Sequence, residues 1–553
     1  MSTTASLTTS VSGEEHSPGE SVVTETLIVF VRGLHPWNPR PSAYAAIEQL
    51  LREQLPGSEF HSFNYRGTYY STEDPGHLAD RLEREIGELI AKKTPQRVYL
   101  VGHSFGALLL RQAVVNNAQQ PEGGRWLDKV EKLILLAGAN RGFHPYHGGL
   151  EFLAMVARAF QRLPSWFRIG RLSVMGLRGS VWVTQLRMAW VKHSVDPDSV
   201  LPFTVQIRGA RDSLVGPHDS RDISTSRRSV ELVIDGVGHK DIALLRPENS
   251  DKVRTQLACK LKEALAATPQ TADFPPGADH VIFLIHGIRD FAEWHEDLGE
   301  TIVQIAGPGQ RVEIVPISYG YFSALQFLFP TARRRCARTF LDRYVQYFAR
   351  FPGARFSAVA HSNGTYALAW ALRQNPFIRL ENIFLAGSVL PRSFRWEHLE
   401  AQVNYVSNDC GNRDWPVGVL CWLLSWFPPY WRELGTAGVF GFKGDAVRGS
   451  SRGTRKFVSN NQYREGGHSV ALESKRHDEI ARFLLTGAGW TAQGLSHRSR
   501  PLRRWFLRGI GVSLVIGFGF LFCWIAIANL APPFTMGLTL GLTLLLICFL
   551  LLI

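Results

Sequence analysis

The sequence predicts an α/β protein: two tandem units of mostly parallel sheet covered by helices, followed by two C-terminal transmembrane helices. Three observations carry this reading. Short, wholly apolar runs alternate with longer Ala- and Leu-rich stretches, the pattern of strands buried on both faces between helices. The pattern restarts about halfway, so a serine pentapeptide occurs twice, as Gly102-His103-Ser104-Phe105-Gly106 and as Ala360-His361-Ser362-Asn363-Gly364. Two long uncharged runs close the chain.

Met1 to about Thr24 is Ser/Thr/Glu-rich without an apolar core, and reads as a disordered leader rather than a signal peptide. The first unit spans residues 25–267. It opens with the buried strand Thr26-Leu27-Ile28-Val29-Phe30-Val31, which ends in Arg32-Gly33-Leu34, and closes with a helix around Ser250 to Ala267. Residues 268–278 have the Pro- and Ala-rich composition of a linker. The second unit, 279–490, restarts with Val281-Ile282-Phe283-Leu284-Ile285 and His286-Gly287-Ile288. Beyond each serine the parallel continues: Lys132–Gly138 is mirrored by Asn382–Gly387, and Val205–Gly209 by Val403–Ser407.

Residues 491–508 form a basic linker, with Arg498, Arg500, Arg503, Arg504 and Arg508. Residues 509–553 read as a hairpin: Gly509 to Leu530 and Phe534 to Ile553 are each long enough for a hydrocarbon core of ~30 Å, and Ala531-Pro532-Pro533 breaks them. Positive charge before the first span and none after it places the folded units at the cytoplasmic face, where the arginines attract anionic headgroups. The net charge of +13 forms no strong basic block in either unit, so nucleic acid is not the expected partner. Six cysteines without a CxxC pair point to neither a zinc site nor a disulfide framework.

Each pentapeptide follows an apolar strand and opens a helix, the context of a strained turn that exposes a serine at its tip. A hydroxyl near its free pKa is a poor nucleophile and needs a histidine to take its proton and a carboxylate to hold the imidazole tautomer. In the first unit Asp212 follows a later strand and His239 sits in Gly236-Val237-Gly238-His239, giving Ser104, Asp212 and His239 in chain order. In the second the set is Ser362, Asp414 and His468. Three features weaken that second set: Ala360 replaces a glycine, Asp409 competes with Asp414, and His477 competes with His468. The frame Arg-Asp-x-x-Val-Gly, shared by Asp212 and Asp414, and the Gly-His loop, shared by His239 and His468, favour Asp414 and His468. Asp409 and His477 then read as solvated loop and helix residues.

Acyl transfer also needs donors for an oxyanion, usually the N–H after the serine and one from the loop after the early strand. Those are Phe105 with Leu34, and Asn363 with Ile288. Arg32 stands where the second unit has His286, and is expected either to meet an acidic substrate group or to point to solvent.

These strings resemble the α/β-hydrolase superfamily, its lipase and esterase branches in particular, over about Glu25 to Ala267 and Asp279 to Leu485. The resemblance implies two tandem α/β-hydrolase domains, nucleophile, acid and base at the six positions above, and no metal or organic cofactor. The segment between Gly142 and Ser194, with Phe152, Phe160, Trp166, Phe167, Trp182 and Trp190, stands where that fold often places a lid; covering the sheet or joining the units is the alternative. Tyr319 to Phe329 and Trp422 to Trp431 are equally aromatic. The expected function is a membrane-anchored serine hydrolase acting on lipid or other acyl esters. Amide or thioester hydrolysis shares every one of these residues, and the rival reading is a tethered binding module in which one or both units are inactive.

Overall fold

Six runs in each half of the chain become strands, most of them apolar, and they pair only with strands of their own half among the described residues. The computed structural model describes residues 25–35, 44–143, 170–196, 199–212, 228–239, 241–244, 250–268, 277–287, 293–319, 322–425, 433–448, 456–464 and 466–487. The first half supplies β1 (Thr26–Val31), β2 (Glu59–Ser62), β3 (Arg97–His103), β4 (Val130–Leu136), β5 (Phe203–Gly209) and β6 (Ser229–Ile234), in the order β2-β1-β3-β4-β5-β6. The second supplies β7 (His280–Ile285), β8 (Val312–Ile317), β9 (Arg355–His361), β10 (Leu380–Ala386), β11 (Val403–Gly411) and β12 (Val458–Arg464), in the order β8-β7-β9-β10-β11-β12. Every pairing is parallel, so the two sheets share one topology.

Helices cover both faces, as parallel strands require. In the first half α1 (Ala45–Gln54) and α2 (Pro75–Lys93) precede α3 (Phe105–Ala118), which leaves Ser104, and α4 (Val181–Val195) and α5 (Ser250–Ala266) follow. Residues of α2, α3 and α4 share one apolar cluster with the sheet, and those of α1 and α5 share the other. The second half repeats this with α6 (Glu293–Ala306), α7 (Pro330–Arg350), α8 (Asn363–Gln374) and α9 (His477–Thr486): α7 and α8 lie on one face, α6 and α9 on the other. Local chemistry sets the ends of α2, where the Asp74 carboxylate accepts from Gly76 N and His77 N and Pro75 opens the first turn.

The sheets meet through α4 and α7. Gly179, just before α4, lies so close to α7 that a Cβ would come within 2.3 Å of the Arg338 carbonyl oxygen. Met188 of α4 is buried among apolar residues of the second half. Arg141 and Arg187 of the first half both reach Asp342 of α7, each at 2.7 Å. Burial works to raise the Asp342 pKa, but Arg187, Arg141 and Arg178 outweigh it and hold the carboxylate below its ordinary value.

The described part of the segment expected to be a lid is therefore core and contact. Trp182 and Trp190 are buried, the first 5.8 Å from the ring of Phe105, because α4 has an apolar helix against it on each side. Phe152, Phe160, Trp166 and Phe167 lie outside the described residues, as do Trp426 to Trp431. Phe322 and Phe327 are buried, whereas Phe329 is exposed. No helix among the described residues is long and apolar enough to cross a membrane. The leader 1–24, the basic linker 491–508 and the two uncharged runs lie outside them.

Candidate active site

Each serine pentapeptide makes a strand-to-helix turn of the same unusual backbone. Ser104 sits at φ +53°, ψ −115° and Ser362 at φ +53°, ψ −122°, conformations a non-glycine residue adopts only when its surroundings enforce them. Those surroundings are tight. Ser104 N donates to Leu136 O and Ser362 N to Ala386 O, both at 3.0 Å. A Cβ at Gly106 would fall 2.2 Å from Val31 O, and at Gly364 2.5 Å from Ile285 O, so glycine alone lets the helix pass the early strand. Gly33 and Gly287 likewise press against the serines, where a Cβ would lie 2.8 and 2.6 Å from the serine Cβ.

In the first half the late loops arrive where the order along the chain implied. His239 Nδ1 lies 2.8 Å from Asp212 Oδ2, and its Nε2 lies 2.8 Å from Ser104 Oγ. The Asp212 side chain is fully buried and the His239 side chain is 9% exposed. In the second half Asp414 Oδ2 accepts from His468 Nδ1 at 2.8 Å, but no hydrogen bond joins Ser362 to His468 among the described residues. The His468 side chain is more open, at 23%.

Asp409 and His477, expected to be solvated, are both buried. Asp409 projects from β11 into an ion pair with the buried Arg476 at 2.7 Å. His477 begins α9 and its Nε2 donates to Leu472 O at 3.0 Å. Each has a partner inside the fold, which removes it from competition with Asp414 and His468. Arg32 is also buried rather than solvated: its guanidinium donates to the Tyr65 carbonyl and lies 5.6 Å from the centre of the Tyr65 ring. Ala360 is fully buried at the end of β9, and the elbow after it keeps the geometry of its glycine-bearing counterpart.

Of the four residues expected to donate to an oxyanion, Phe105 and Asn363 are the first residues of α3 and α8, whose N–H groups have no partner within the helix. Leu34 follows Gly33, which touches Ser104. Ile288 lies outside the described residues. Beneath the first elbow His103 is buried 5.6 Å from His239, ring to ring. Burial, reinforced by His239, pushes its pKa down to about 3, so a second positive charge is kept from the site.

Two features escaped sequence reasoning. Tyr65 Oη donates to the Arg32 carbonyl at 2.7 Å, and Tyr319 Oη donates to the carbonyl of His286, the matching residue. The signal was present: Phe63-Asn64-Tyr65 and Ile317-Ser318-Tyr319 place a tyrosine three residues beyond β2 and two beyond β8. The Asp342 pairing had no signal, because its partners are separated along the chain by the whole linker. Chemically, a hydroxyl held against an imidazole, itself held by a buried carboxylate, is set to lose its proton to that imidazole.

Residues 28–294 match the alpha/beta hydrolase family, a stretch that covers the first sheet and enters the second at β7. Among solved structures, the chain is similar to a monoacylglycerol lipase of Paleococcus ferrophilus, at 15% identity over 43% of this chain and 94% of that one, with a TM-score of 0.29. It is also similar to a soluble variant of the monoglyceride lipase of Saccharomyces cerevisiae, at 16% over 44% and 86%, TM-score 0.29. A serine hydrolase of Cycloclasticus zankles stands at 12% over 45% and 93%, TM-score 0.30. No curated protein matches the sequence.

Proposed function

We propose that the first half is a serine hydrolase that cleaves carboxylic esters, with lipid or other acyl esters as its substrate class. One observation carries this: the His239 imidazole is bonded on one side to Asp212 and on the other to Ser104. Ser104 Oγ attacks the ester carbonyl while His239 Nε2 takes its proton, and Asp212 stabilises the imidazolium that forms. The N–H groups of Phe105 and Leu34 receive the oxyanion. Collapse breaks the bond to the alcohol, which leaves with the proton from His239, and an acyl group stays on Ser104. Water, deprotonated by the same imidazole, releases the acid and restores the hydroxyl.

The lipid assignment and attachment to a membrane rest on the uncharged runs 509–530 and 534–553 and the arginines before them. A fluorophosphonate probe is expected to label the native protein and not the Ser104→Ala variant. Absence of labelling in the native protein, with and without detergent, defeats the reading. Lipid extracts of cells carrying the intact or the Ser104→Ala protein then identify the ester.

The second half supports a different reading. With Ser362 not bonded to His468, we propose that it serves chiefly as the structural partner of the first, held to it through Asp342. Preferential labelling of Ser362 over Ser104 would reverse this assignment.

A further inference from the structure

Resting on the reading of Ser104 as nucleophile, we infer that Tyr65 is a positioning residue for oxyanion stabilisation: its phenol fixes the backbone that presents the Leu34 N–H. In a trans peptide unit the carbonyl and the following N–H point in opposite directions. Holding the Arg32 carbonyl at 2.7 Å therefore sets the plane that carries the Gly33 N–H. One residue on, the Gly33 carbonyl oxygen lies against Gly67, where a Cβ would approach it to 3.1 Å. That turns the Leu34 N–H, in the same plane, away from Gly67. The flanking chain is stitched to this segment too, with His35 N donating to Gly67 O at 2.8 Å and Tyr69 N to His35 O at 3.1 Å. The donor loop is thus clamped between Ser104 on one side and residues 65–69 on the other.

The second half repeats the bond but not its surroundings. Tyr319 donates to the His286 carbonyl and stacks on the His286 imidazole at 4.2 Å, whereas Tyr65 faces the Arg32 guanidinium. The side chains differ, and the backbone acceptor is the same. Tyr65 is almost wholly buried, and burial raises its pKa, so the phenol remains a donor wherever the protein is folded. Its proton is committed to the carbonyl, which sets it apart from a general acid.

Tyr65→Phe removes one oxygen and keeps the ring. With p-nitrophenyl octanoate, kcat is expected to fall about 10- to 100-fold while KM stays within about twofold, because the donor acts on the tetrahedral oxyanion rather than on bound ester. Octyl trifluoromethyl ketone, which forms an oxyanion adduct on Ser104, should lose affinity by the same factor, while neutral 1-octanol binds as before. Tyr99→Phe, which removes the phenol oxygen of a buried tyrosine of β3, keeps native kcat and KM. A Tyr65→Phe protein with native kcat, or one in which 1-octanol binding falls alongside kcat, overturns the positioning role and leaves the hydrolase reading intact. A native protein without turnover or Ser104 labelling ends both. Should Tyr65→Phe fail to fold, Gly67→Ala, whose Cβ would lie 3.1 Å from the Tyr65 ring, displaces the same phenol and is read by the same split.

Discussion

The two halves share a strand order, an elbow backbone and a buried Asp–His pair, yet only in the first does the imidazole reach the serine. The residue after the strand beside the elbow also differs between the halves. Ala137 and Gly387 occupy matching positions and adopt the same left-handed backbone, at φ +46° and +52°. In the first half the methyl of Ala137 fills the space beside the sheet. In the second that space belongs to His468, whose Cε1 and Nδ1 lie only 2.7 and 2.8 Å from where a Cβ would be. Because Gly387 carries no methyl, the imidazole can lie against its backbone. The same three residue types are thus present in both halves, but a hydrogen bond between imidazole and serine is present only in the first.

The hardest test of this contrast is at the serines. Ser104→Ala is expected to lower ester turnover by about 10⁴-fold or more, whereas Ser362→Ala removes only the smaller share, if the halves differ as their geometry does. Equal losses in p-nitrophenyl ester assays would break the comparison. Next comes the contact between the halves. Asp342→Ala leaves Arg141 and Arg187 buried without their carboxylate and should cost about 3–5 kcal/mol, splitting denaturant unfolding into two transitions. A single unshifted transition would mean that Asp342 does not hold the halves together.

The steric account of His468 is sharpened by a reciprocal pair. Gly387→Ala drives a methyl into the imidazole and should destabilise the protein by about 1–3 kcal/mol, while Ala137→Gly costs about 1 kcal/mol or less, from chain entropy. Equal shifts in urea midpoint would remove the explanation. A last test is one of pH. His103 has a folded pKa of about 3, well below the ordinary value, so between the two the unfolded chain binds a proton that the folded chain refuses. Its contribution is complete above about pH 6.5 and is lost, at ~1.4 kcal/mol per pH unit, as acid is added towards pH 3. His103→Leu should flatten that slope, with His280 of the second half, lowered to about 4, keeping its own. An unchanged acid slope in the variant contradicts the burial argument.

Much of the fold was legible because strands buried on both faces cannot be written in polar residues. Val281–Ile285 and Thr26–Val31 announced themselves, and the repeat of the serine pentapeptide fixed where each half must turn. Ser104, Asp212 and His239 were equally legible, since each stands at the exit of a recognisable strand. Asp409 and His477 were misread as solvated because their partners, Arg476 and the Leu472 carbonyl, come from packing rather than from local pattern. Trp182 and Trp190 were weighed as a lid, as cover for the sheet or as a join between the units; α7, which packs on α4 and comes from the other half of the chain, decides for cover and join.

By itself, the order of residues determined two parallel sheets, two strained serine turns and which carboxylates and imidazoles come near them, because these follow from strand burial and turn sterics over a few residues. Tertiary structure alone decided which imidazole meets its serine, that Arg32 turns inward to Tyr65, and that Asp342 joins the halves. Those outcomes hang on contacts of a few ångströms between segments far apart in the chain, where one methyl or one carboxylate outweighs any local preference.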